Sequence, residues 1–230
     1  MSDTHAPAGP PVEEADTQAP VRRYWRLFLT VVALFVVQAA FQGGPVARVL
    51  EVVLAGTALV LAAQLEAGRE RVLRIAVLVA VGSLVLAVLR VALGRDGDAG
   101  GGLLLVNGLV VAVGPVLILR SIARHPTVSV RTMIGALTTY VLIGLFFAMV
   151  YRAILLIDPG AFASATGDLD PAAMQYFSFV ALTTVGFGDI TPVASLTRTL
   201  VVLEALIGQI YLVTVVALVV GNLGRSRRQG

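Results

Sequence analysis

The sequence predicts an all-α membrane protein: six transmembrane helices and one short helix that enters the membrane and turns back. Three observations lead there. The 230 residues are 57% hydrophobic and only 13% charged, whereas a soluble domain carries roughly 25% charged residues. Six apolar stretches each approach the ~20 residues that a helix needs to cross ~30 Å of hydrocarbon. A seventh apolar stretch is too short to cross and runs into a glycine-containing loop.

Residues 1–22 are expected to form a disordered N-terminal tail, with Pro7, Pro10, Pro11 and Pro20 among four acids in its first twenty residues. It lacks the basic start and early apolar run of a secretory signal. The spans follow at about 24–42, 47–65, 72–93, 103–123, 130–157 and 195–222. They are separated by Gly43-Gly44-Pro45, the charged run Glu66 to Arg71, Gly94 to Gly102, and His125-Pro126. Arg48 and Glu51 shorten the clean run of the second span, and Pro115 is expected to kink the fourth. No internal repeat is visible.

All 17 basic residues are arginine, and their positions set an orientation by the positive-inside rule. With the N-terminus in the cytosol, the inner side receives Arg22, Arg23, Arg26, Arg69, Arg71, Arg74, Arg120, Arg124, Arg131, Arg225, Arg227 and Arg228. The outer side receives Arg48, Arg90, Arg95, Arg152 and Arg198. Both termini are then cytosolic, in a multi-pass protein of the plasma membrane. The basic excess reads as topology and not as a nucleic-acid patch.

Several chemistries are excluded by composition. With no Cys, there is neither a disulfide nor a thiolate metal site. His5 and His125 are too few for a His-based zinc site. The absence of Lys rules out a Walker A loop. No nucleophile, base and orienting-group set is recognisable, so neither an enzyme nor a cofactor is expected.

Nearly forty residues between the fifth and sixth spans cross nothing. Asp158, Asp168 and Asp170 lie in their first, polar part, and Asp170-Pro171 reads as an N-cap with proline at the first helical position. A short helix to about Thr183 follows, then Thr184-Val185-Gly186-Phe187-Gly188-Asp189, and Ile190-Thr191-Pro192 ends the excursion. Irregular backbone at membrane depth survives only inside protein or beside a water-filled path. Gly186 and Gly188 can take conformations closed to other residues, so that, alternating with Val185 and Phe187, they let successive carbonyls face one way. Four copies around an axis would replace the hydration shell of a monovalent cation with rings of carbonyl oxygens, and the Thr184 hydroxyl would add an inner ring. The short helix would aim its negative C-terminal end at the central cavity.

The run from Tyr176 to Asp189, ending Thr183-Thr184-Val185-Gly186-Phe187-Gly188-Asp189 after an aromatic-rich helix, resembles the pore helix and selectivity filter of tetrameric potassium channels. The resemblance covers about 130–222 and extends less closely to the six-helix layout. It implies a homotetramer in a lipid bilayer, with K⁺ as permeant ion bound by carbonyls of Thr184, Val185, Gly186 and Phe187 and by the Thr184 hydroxyl. Thr183 and Gly188 would support that filter, and Asp189 would stand at its outer mouth. Phe187 takes the place of a tyrosine found in many members, and Val180 that of a pore-helix carboxylate found in some. Outer acids Glu51, Asp96, Asp98, Asp158, Asp168, Asp170 and Asp189 outnumber the outer arginines and would draw cations to the mouth.

In the last span, Gly208 lies 19 residues after Asp189, where the family often has a gating hinge; close packing is the other reading. Gln209 either lines the cavity or makes an interhelix hydrogen bond. Glu204, an acid deep in a span, calls for a buried or watered setting. It is either a structural partner of a hydroxyl such as Ser178 or Thr183, or a proton-sensitive gating group.

The layout divides into a tail (1–22), a four-helix module (23–125), a pore domain (126–223) and a C-terminal tail (224–230). The fourth span offers only Arg120 and Arg124, near its inner end, whereas steep voltage gating uses about 3–4 charges per subunit. Weak or absent voltage dependence is expected. So is the lack of an attached sensing domain, since about eight polar residues follow the sixth span; any regulatory partner would act in trans. The function expected is a potassium-selective channel. The alternatives are a less selective monovalent-cation channel or a non-conducting accessory subunit.

Overall fold

A computed structural model describes residues 13–41, 44–65, 70–93, 108, 111–120, 130–165 and 167–226. Helix α1 spans Glu13–Ala40, α2 Pro45–Gln64 and α3 Glu70–Ala92. A shorter apolar helix, α4, covers Val111–Arg120, and α5 covers Val130–Ile157. Strand β1 (Phe162–Ser164) precedes α6 (Pro171–Leu182), and β2 (Ile190–Pro192) precedes the long α7 (Ser195–Ser226).

Five of these helices are long and apolar enough to cross a membrane. Their boundaries follow the sequence punctuation: Gly44 is the extended N-cap of α2, with Pro45 at its first position. The fourth expected span is described only at Gly108 and over α4, with Pro115 inside α4. The rest of that span lies outside the described residues, as do Arg124 and His125. Two features depart from expectation. Helix α1 begins at Glu13, so residues 13–22 are helical and only 1–12 remain outside the described residues. Residues 13–19 hold Glu, Ala and Gln, good helix formers that lengthen an existing helix at one bond per residue. Among the described residues there is also one antiparallel ladder, pairing Phe162 with Pro192 and Ser164 with Ile190. It closes the base of the excursion that carries α6, and strands of three residues are too short for a periodic signal.

The main core joins α1 (Leu27, Val31, Leu34), α2 (Ala55, Leu59, Ala62), α4 (Val111, Ile118) and α5 (Leu142, Leu145, Met149). The described parts of the first four helices and α5 therefore share one core. A second core, Phe147, Tyr151, Phe162, Met174 and Phe177, sits between α5, the ladder and α6. Helix α7 is the least covered of the long helices, with 11% of its apolar window buried.

Candidate functional site

Helix α6 is anchored at both ends. At its start, Asp170 Oδ1 accepts from the Ala173 N–H at 2.7 Å and Pro171 occupies the first turn, as the sequence predicts. Its last four carbonyls all have donors. Phe179 O accepts from the Thr183 N–H, Val180 O from the Val185 N–H and Ala181 O from the Thr184 N–H. Leu182 O accepts from the Tyr140 hydroxyl at 3.3 Å. What this helix end offers a cation is thus its dipole field and not an unpaired carbonyl. Laterally, the Gln175 amide donates to Phe35 O of α1 at 3.0 Å, and the Phe35 and Phe179 rings meet edge to face at 5.0 Å.

The loop after α6 repeats a positive φ at every second residue: Thr184 at 58°, Gly186 at 58° and Gly188 at 79°. Val185 and Phe187 between them have no such angle. A backbone alternating between the two hands turns successive peptide planes toward one side. Glycine enters the left-handed region freely, whereas for β-branched Thr184 it is strained. Residues 183–188 are exposed in the single chain, with Val185 at 55% and Phe187 at 69%. The C-terminal end of the loop is fixed by Asp189, whose Oδ1 accepts from the Ile190 N–H at 3.0 Å and whose carbonyl accepts from the Ala165 N–H at 2.8 Å. Tyr176 stacks on Phe187 with centroids 6.4 Å apart. The neighbouring Asp189 carboxylate pushes the Tyr176 phenol above its ordinary pKa.

Behind the loop lies Glu204, fully buried on α7. The Tyr151 hydroxyl of α5 approaches its Oε2 at 2.6 Å, and the Ser178 hydroxyl of α6 approaches its Oε1 at 2.5 Å. Ser178 Oγ is also 2.7 Å from Gly144 O of α5. One carboxyl group therefore ties three helices together, and of the two hydroxyls named from sequence it is Ser178, not Thr183, that reaches it. Tyr151 escapes a sequence reading because its partner is 53 residues away; the only signal is a phenol in an apolar span.

One turn further, a Cβ on Gly208 would collide with Leu182 O and lie 2.9 Å from Leu182 Cδ1. The helix backbones touch here, which gives Gly208 a packing role. Next to it, Gln209 Nε2 donates to Thr184 Oγ1 at 3.0 Å. So Glu204, Gly208 and Gln209 all converge on α6 and the start of the loop that follows it. Glu51 lies 3.8 Å from Arg152, both side chains largely buried between α2 and α5. Among the described residues, no group of three or more His, Asp or Glu is placed to hold a metal ion.

Residues 135–224, which include most of α5, all of α6, the 183–189 loop and nearly all of α7, match the family model described as an ion channel. No curated protein and no solved structure matches the chain. The match supports an ion-channel family, and with five spanning-length apolar helices it points to a multi-pass membrane protein that passes ions and not to an enzyme.

Proposed function

We propose that the protein is a potassium-selective channel, a homotetramer in the plasma membrane with both termini cytosolic and six spans per chain. The observation that carries this reading is the alternation of positive φ at Thr184, Gly186 and Gly188 in an exposed loop at the end of a short, capped helix. Four such loops facing one axis present rings of carbonyl oxygens from Thr184, Val185, Gly186 and Phe187, and a dehydrated K⁺ exchanges its water shell for them. The Thr184 hydroxyl forms the innermost ring. Thr183 and Gly188 hold the ends of the loop, and Asp189 stands at the outer mouth. No cofactor takes part; the ion gradient drives conduction. Residues 126–223 build the pore, and 23–125 flank it without a ladder of gating charges, so voltage dependence is weak or absent. The division is one of role, since both regions share a core.

Uptake of rubidium, a potassium surrogate, into liposomes holding the purified protein tests this. Uptake is expected to be strong, to resist sodium as competitor, and to vanish in Gly186→Asp, which loses a residue free to take φ 58° and adds a charge. Equal uptake of sodium and rubidium defeats the selectivity claim. Uptake that survives Gly186→Asp defeats the assignment of the loop.

A further inference from the structure

The Thr184 side chain is held from two sides. Its hydroxyl donates to Thr183 O at 2.7 Å and accepts from Gln209 Nε2 at 3.0 Å. A hydroxyl has one proton and two lone pairs. With the proton on Thr183 O and one lone pair on the Gln209 amide, a single lone pair remains, with a fixed direction. Without the amide the hydroxyl keeps only its bond to the neighbouring carbonyl.

The donor comes from a rigid base. Gly208, the residue before Gln209, packs so closely on Leu182 O that there is no room for a Cβ. Two residues on, Tyr211 stacks on Tyr140 at 5.9 Å and its hydroxyl donates to Ala136 O at 2.7 Å. Tyr140 in turn bonds Leu182 O. Residues 208–211 of α7 are thereby locked to α5 and α6, and Gln209 reaches the loop from a fixed position. Thr184 itself sits at φ 58°, a conformation that persists for a β-branched residue only when its surroundings over-determine it.

We propose that Gln209 is a specificity-determining positioning residue: its amide fixes the free lone pair of the Thr184 hydroxyl at the inner end of the conduction path. This rests on the potassium-channel reading above. Gln209 touches no ion; it acts through Thr184. A ring of oxygens discriminates between cations by the spacing and field it keeps. Hydroxyls released from Gln209 can close around the smaller sodium ion.

The test is the ratio of rubidium to sodium uptake in liposomes, with assembly checked by gel filtration. Gln209→Met, similar in length but without a donor, is expected to lower the ratio about tenfold, the effect of losing one hydrogen bond of ordinary net worth. Gln209→Asn keeps an amide but is one methylene too short, and is expected to give the same fall. Adding Gln209→Met to Thr184→Val, which has no hydroxyl to position, is expected to change nothing further. An unchanged ratio in both Gln209 variants overturns the proposal. So does a fall with Gln209→Met alone and not with Gln209→Asn, which assigns a general polar lining role. An equal further fall in the Thr184→Val background overturns it too. A wild-type protein that takes up both ions equally overturns the potassium reading and this inference with it; selective wild-type uptake with unchanged Gln209 variants overturns this inference alone.

Discussion

Glu204 has no exposed surface, and each of its carboxyl oxygens meets a hydroxyl, from Tyr151 and from Ser178. A buried polar atom stripped of its partner costs about 1–3 kcal/mol. Tyr151→Phe and Ser178→Ala are therefore each expected to lower the melting temperature of the purified protein in detergent. Glu204→Ala is expected to cost more than either, since it strands the Tyr151 hydroxyl, leaves Ser178 with Gly144 O alone, and opens a cavity. Glu204→Gln preserves volume and two polar contacts, so it is expected to keep rubidium uptake and the wild-type pH response. A changed open probability with a flattened pH response in Glu204→Gln assigns the carboxyl to gating instead. The acid was legible in the sequence as a group in need of partners, and Ser178 as one of them. Tyr151 was not, because which phenol faces an inner-helix acid depends on how α5 rotates against α6 and α7, and periodicity leaves that open when all faces are apolar.

The contact between α6 and α7 turns on Gly208. A methyl group there meets the Leu182 carbonyl oxygen, backbone that cannot swing aside. Overpacking of this kind costs about 1–3 kcal/mol. Gly208→Ala is expected to lower the melting temperature and to reduce uptake, because the displaced helix end carries the loop. A hinge without a packing role predicts an unchanged melting temperature with altered opening alone. The elements themselves were largely legible. Asp170-Pro171 marked the start of α6 because capping chemistry is local, and Gly44-Pro45 marked α2 for the same reason. The β1–β2 ladder was not legible, since it depends on two three-residue segments meeting across 25 intervening residues, 165–189. Nor was the pairing of Glu51 with Arg152, which sets one acid of the expected outer count against one of its arginines. The left-handed Thr184 ran against residue preference, and only the tertiary setting supports it.

At the scale of the whole molecule, one chain leaves its most specific feature uncovered. Val185 and Phe187 are exposed, and so is a long apolar face of α7 that includes Val202, Leu203, Leu206, Ile207, Ile210 and Val213. Lipid suits the apolar side chains, but it cannot satisfy the polar backbone of 183–188, which needs protein or water around it. Both needs are met if copies pack α7 and the loop around a shared axis and leave water in the middle. Native mass measurement in mild detergent is therefore expected to give four chains. Leu206→Asp, which places a charge on the exposed face of α7, is expected to shift the mass toward one chain and to abolish uptake. The two losses should go together, because a single loop supplies one edge of a site and not a ring. A monomeric wild-type mass with selective uptake retained would mean that one chain builds the path alone, contrary to this arrangement.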